Sequence, residues 1–118
     1  MDRLIAWVEI PSTDFDRAVD FYSGLLEVQL EKSVYETEKM ACLPGNVGCV
    51  FSAPGYQPSE QGTIISLNVG KKMDDRIRYV ENNGGKIVFP KTKIQAEGFG
   101  YCALFIDTEG NRLGLYGD

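Results

Sequence analysis

The run Leu4 to Ile10 (LIAWVEI) carries a single charge, Glu9, and, two residues before it, the only tryptophan of the chain, Trp7. Side chains alternate between the faces of a strand, so residues two apart share one face. A carboxylate in apolar surroundings is rarely left unpaired. Glu9 therefore receives a cation, hydrogen-bonds a ligand or acts as a base with a raised pKa, or else is paired or exposed at a sheet edge. The Trp7 indole suits either the wall of a site for apolar or cationic ligands or core packing. Tyr101 and Tyr116 offer hydroxyls to a ligand, or cover a sheet face with their tips in water. There is no histidine in the 118 residues, so Ser23 and the three cysteines lack the base of the usual nucleophilic triads.

These residues are positioned by a pattern that occurs twice. Leu4 to Ile10 reads as a largely buried strand ended by Pro11. Ser12-Thr13-Asp14 supplies helix N-cap residues. Phe15, Ala18, Val19, Tyr22, Leu25 and Leu26 form one apolar helix face, which Ser23-Gly24 begins to end. Val28 to Val34, Lys39 to Leu43 and Val47 to Ala53 read as strands, the last two around Pro44-Gly45-Asn46. After the turn-rich stretch 54–62, Thr63 to Val69 is a strand. Met73, Ile77 and Val80 mark a helix stopped by Asn82-Asn83-Gly84-Gly85. Lys86 to Phe89, closed by Pro90, Phe99 to Ile106 and Arg112 to Tyr116 complete the set. The last two strands flank Asp107-Thr108-Glu109-Gly110-Asn111, whose Asp, Gly and Asn are hairpin-turn residues. Lys91-Thr92-Lys93 reads as a solvated loop, and Gln95-Ala96-Glu97-Gly98 as a flap. The expectation is one α+β domain over 1–118 with two β-α-β-β-β modules, about 1–53 and 63–118, joined by linker 54–62.

A net charge of −5, with basic residues dispersed, argues against nucleic-acid binding. No apolar run approaches the ~20 residues of a membrane helix, and no charged n-region precedes an apolar segment, so a cytoplasmic protein is expected. Cys42, Cys49 and Cys102 are odd in number with no CxxC spacing, which suits buried or half-buried thiols in a reducing compartment.

The stretch IPSTDFDRAVDFYSGLL resembles the first strand and helix of the glyoxalase/bleomycin-resistance/extradiol-dioxygenase superfamily, also called the vicinal oxygen chelate superfamily. The D-x-x-R-A-x-x-F-Y-x-x-L signature is present as Asp14, Arg17, Ala18, Phe21, Tyr22 and Leu25. DTEGNRLGLY is similar to the closing hairpin D-P-x-G-N-x-x-E-L, and ENNGGKIVFPKTKI to the second helix end and next strand of short stand-alone members. The resemblance implies curved mixed sheets cupping a cleft, a homodimer, and in the enzymes a divalent metal that polarises vicinal oxygens.

Carried over position by position, the metal-ligand sites of the resemblance fall on Trp7, Ile64 and Gly114. None of these side chains can ligate a hard or borderline cation. A slip of the alignment would make Glu9 available, but one carboxylate does not hold a metal. The expected function is metal-free binding of a small, cationic or aromatic molecule, with no cofactor. Trp7, Glu9, Ile64, Tyr101, Gly114 and Tyr116 are the candidate contacts, with Tyr35, Met40 and Phe51 as further lining. The alternatives are a metal-dependent glyoxalase-like lyase or dioxygenase, and a non-catalytic protein-interaction dimer.

Overall fold

A computed structural model describes residues 3–118; Met1 and Asp2, which belong to the expected first module, lie outside the described residues. The chain forms two compact units, Met1–Pro58 and Ser59–Asp118, whose boundary falls within the turn-rich stretch. Each holds one helix and one four-stranded mixed sheet. No helix among the described residues is long and apolar enough to cross a membrane.

The first unit contains β1 (Val8–Pro11), α1 (Phe15–Leu26), β2 (Lys32–Val34), β3 (Lys39–Cys42) and β4 (Gly48–Ser52). Its sheet order is β1-β4-β3-β2, with β1 parallel to β4 and the other pairs antiparallel. Asp14 caps α1 by accepting the Arg17 N–H at 3.1 Å, a contact of the kind that stabilises a helix by about 1 kcal/mol. Phe15, Ala18, Val19, Phe21, Tyr22 and Leu25 are buried along the helix. Gly24 does not end it. The helix runs on to Leu26 and stops at Glu27, which takes a left-handed conformation (φ 57°), while the Glu27 and Val28 N–H groups bond the Gly24 and Ser23 carbonyls. Asp16 accepts from Lys32 Nζ at 2.9 Å, linking α1 to β2, and this contact holds the Asp16 carboxyl below its usual range.

All four strands here are shorter than expected, β1 and β2 by the most. β1 begins at Val8, because its partner β4 begins at Gly48 and the chain before Val8 has no strand to pair with; Leu4 and Ile5 are exposed. Of Val28 to Val34 only Lys32–Val34 pairs.

The second unit contains β5 (Ser66–Gly70), α2 (Met73–Asn82), β6 (Lys86–Lys93), β7 (Tyr101–Ile106) and β8 (Arg112–Gly117), in sheet order β5-β8-β7-β6 with β5 parallel to β8. Met73, Arg76 and Val80 are buried on α2, and Ala103, Phe105, Leu113 and Leu115 on the sheet. Pro90 does not close β6, and Lys91-Thr92-Lys93 is strand rather than loop. Register shifts between Ile87 and Phe89 and between Phe89 and Thr92 flank Pro90 on an edge strand, where the missing N–H costs no regular ladder bond.

The closing hairpin is held from inside. Buried Asp107 accepts from the Glu109 and Asn111 N–H groups at 2.8 and 2.9 Å through Oδ1, and from Asn111 Nδ2 at 3.0 Å through Oδ2. Asn111 Oδ1 in turn accepts the Ser59 N–H at 3.2 Å, and Gly110 supplies φ 101°. The Asp, Gly and Asn of this motif thus have structural work.

Candidate functional site

Strand alternation divides the first sheet into two faces. Ile10, Val50 and Ala41 are register partners across β1, β4 and β3, and all are buried. The other face carries two rows, Glu9-Cys49-Cys42 and Pro11-Phe51-Met40, again register partners across the same strands. Glu9 and Cys42 are exposed, Cys49 is fully buried, and Phe51 lies under the Tyr56 ring at 5.1 Å.

Trp7 stands one residue before β1 and is 38% exposed. It and Glu9 converge on Cys49. The thiol donates to Glu9 Oε2 at 4.0 Å, and the sulfur accepts a hydrogen bond from the Trp7 side chain. Burial pushes the Cys49 thiol up to about 11, the Glu9 charge adds to the rise, and the Trp7 hydrogen bond opposes it. Cys42 and Glu38 raise it a little further, as thiolate and carboxylate neighbours of like charge. Among the described residues Glu9 forms no ion pair. The expectation of a largely buried strand is corrected: β1 is an edge strand of its sheet, and the Glu9 side chain is exposed to water.

Cys42 is also a correction, since it is exposed, whereas Cys49 is buried and Cys102 half-buried. It borders a depression of about 260 Å3 lined by Val28, Gln29, Leu30, Glu31, Cys42 and Pro44. Tyr35 lines another, of about 400 Å3, with Glu36, Glu38 and Lys39.

In the second unit Leu67, Leu115 and Ala103 are register partners on one face; Ser66, Gly114 and Leu104, then Asn68, Tyr116 and Cys102, form rows on the other. A side chain built at Gly114 would run into Ser66 Oγ, so the hydroxyl fills the space the hairpin glycine leaves. Ile64 lies two residues before β5 and is 44% exposed. Tyr101 alternates in phase with Ala103 and Phe105, away from Tyr116. Lys91 and Lys93 place their Nζ atoms 4.7 and 5.6 Å from its ring centre, and Lys91 also bonds Asp74 of α2 at 3.1 Å. Tyr101 and Tyr116 therefore serve different faces.

Trp7 and Glu9 thus come together in one unit, and Gly114 and Tyr116 share a face in the other. Cys49 and Cys42 join the first pair, and sequence reasoning passed them over. A signal was present: Cys42 lies three residues before Gly45 and Cys49 three after Asn46, so a hairpin centred on Gly45-Asn46 must pair them. Among the described residues no group of three or more His, Cys, Asp or Glu side chains is placed to hold a metal ion. The side chains of Trp7, Ile64 and Gly114 do not suit the metal of the vicinal oxygen chelate enzymes.

No family model and no curated protein matches the chain in sequence. Solved structures do. A glyoxalase/bleomycin resistance protein/dioxygenase family enzyme from Burkholderia phytofirmans superposes with TM-score 0.72 at 12% identity, over 96% of this chain and 97% of that one. A glyoxalase/bleomycin resistance protein from Albidiferax ferrireducens gives 0.71 at 16% identity, over 98% and 99%. The fosfomycin resistance protein FosX from Listeria monocytogenes gives 0.73 at 15% identity, over 100% and 95%. At such identities the likeness establishes the fold. The chain has the glyoxalase/bleomycin resistance/dioxygenase fold that its first-helix and closing-hairpin motifs resemble.

Proposed function

We propose that the chain uses this fold to bind a small cationic aromatic molecule without a metal, on the face of the first sheet that carries Trp7 and Glu9. The observation that carries this reading is the pairing of a part-exposed indole with an exposed carboxylate that has no ion pair among the described residues. The indole face attracts a cation or an aromatic ring, and the carboxylate selects positive charge. The non-ligating side chains of Trp7, Ile64 and Gly114 support the metal-free part. The names of the bleomycin and fosfomycin resistance proteins of like fold suit a role in handling small molecules. A second copy of the chain is the proposed macromolecular partner, to be tested by light scattering.

Because Trp7 is the only tryptophan, its fluorescence reports directly on the site. Titration with ethidium should change the emission saturably, whereas an anionic aromatic of similar size should not. Glu9→Gln should weaken ethidium binding and reduce the preference for positive charge. An emission that no compound alters would overturn the reading. So would stoichiometric nickel, zinc, iron or manganese in the purified protein, which would favour a metal-dependent lyase or dioxygenase.

A further inference from the structure

Cys42 and Cys49 are opposite each other on the antiparallel strands β3 and β4. The Leu43 N–H donates to the Gly48 carbonyl at 2.8 Å, which makes Leu43 and Gly48 a hydrogen-bonded pair. The next pair outward, Cys42 with Cys49, is therefore of the non-hydrogen-bonded kind, in which side chains lie on one face and Cα atoms approach to about 4.5 Å. Disulfides need a Cα separation of roughly 4.4 to 6.8 Å, so a bond between these sulfurs calls for rotamer changes rather than a new backbone path. The hairpin that holds the register is closed by Gly45 (φ 84°) and Asn46 (φ 55°), residue types that adopt this conformation readily. Cys102 has no such neighbour, for its register partners are Tyr116 and Thr92.

We propose that Cys42 and Cys49 form a dithiol–disulfide couple whose oxidant is a low-molecular-weight disulfide, entering at Cys42. The couple stands on strand register and does not depend on the ligand-binding reading. Exposed Cys42, at the rim of the 260 Å3 depression, is the sulfur a reagent reaches. As thiolate it attacks one sulfur of the small disulfide, forming a mixed disulfide and expelling one small thiolate. Cys49 then loses its proton and attacks the Cys42 sulfur, expelling the second. The sum is two protein thiols and one small disulfide giving one protein disulfide and two small thiols; two electrons pass from the protein sulfurs to the reagent. The second step is the slow one, because Cys49 is buried against the Glu9 carboxylate, with Glu38 adding negative charge and only the Trp7 hydrogen bond opposing. Oxidation removes the S–H that bonds Glu9 and places a disulfide next to the Trp7 indole.

The test is incubation of the full chain with oxidised glutathione, followed by intact mass, peptide mapping and a thiol count in denaturant. The expected product is a monomer lighter by two hydrogens, with its three thiols reduced to one and the bond mapped to Cys42 and Cys49. Cys102→Ser should leave this oxidation intact, and Cys42→Ser should abolish it. The closure rate should rise about tenfold per pH unit below the Cys49 titration, as the thiolate fraction does, and Glu9→Gln should speed it at fixed pH. A stable glutathione adduct on Cys42 with Cys49 still reduced, a dimer linked through Cys42, or consumption of Cys102 would each overturn the proposal. The wild-type map decides the matter even if a variant fails to fold.

Discussion

The two units repeat one plan and fill it differently. In both sheets the first strand lies parallel to the last, and the order follows the same rule. Superimposing the row Ile10-Val50-Ala41 on the row Leu67-Leu115-Ala103 makes Glu9 equivalent to Ser66, Cys49 to Gly114 and Cys42 to Leu104. These rows are apolar in both and buried except at half-buried Leu67, because either sheet must hide one face to be stable. The opposite rows are free of that demand, and there the units diverge: one has a carboxylate and two thiols, the other a hydroxyl tucked over a glycine. The backbone pairing that makes the fold is shared, whereas the chemistry is local to one face of one unit.

The largest test of this contrast lies in the β3–β4 and β7–β8 turns. Asp107→Ala removes the acceptor of three N–H groups in a buried turn, and should cost about 2 to 3 kcal/mol in denaturant unfolding. The corresponding turn of the first unit depends on the conformation of Gly45 and Asn46, so Asn46→Ala should cost about 1 kcal/mol, the penalty of a left-handed alanine. Equal losses would remove the asymmetry.

Next comes Gly114→Glu, which would place in the second unit the carboxylate found in the closing motif of the enzymes. It should lower stability by about 1 kcal/mol, because Ser66 Oγ must move aside, and the loss should shrink in the double variant with Ser66→Ala. If the single variant is neutral, the hydroxyl does not hold that space.

A third test uses pH. The folded Cys49 thiol titrates near 11, above its ordinary value of 9.0. The unfolded chain therefore releases this proton at lower pH than the folded one. Stability should be fully retained below about 9 and fall as pH rises towards 11. Cys49→Ala should flatten that part of the profile; an unchanged slope would mean that another group is responsible. The smallest effect is expected at Asp16, whose lowered pKa predicts a slight loss of stability as acid protonates it and the exposed Lys32 contact breaks. Salt should mask that loss.

Much of the fold was readable from local signals. Asp14 at the N-cap, the apolar face of α1, and the Asp-Gly-Asn turn of the closing hairpin each act within a few residues, so spacing reveals them. Edges were less readable. Pro90 lies inside β6 because bulges beside it relax the ladder, and Gly24 lies inside α1 because Glu27 provides the stop. At the candidate site, Trp7 and Glu9 were legible as a pair two residues apart, whereas the thiol between them was not. Cys49 is 40 residues from Glu9 and reaches it only through the parallel pairing of β1 with β4.

By itself the sequence determined the periodicity of two β-α-β-β-β modules, the turn chemistry that closes them, and the absence of imidazole and of carboxylates at the expected metal positions. These are properties of residue type and short spacing. The tertiary structure alone decided that Glu9 faces water, that Tyr101 and Tyr116 lie on opposite faces, and that Cys42, Cys49 and Glu9 form one row. Each of these depends on long-range register, and a shift of one residue would turn every side chain of a strand to the other face.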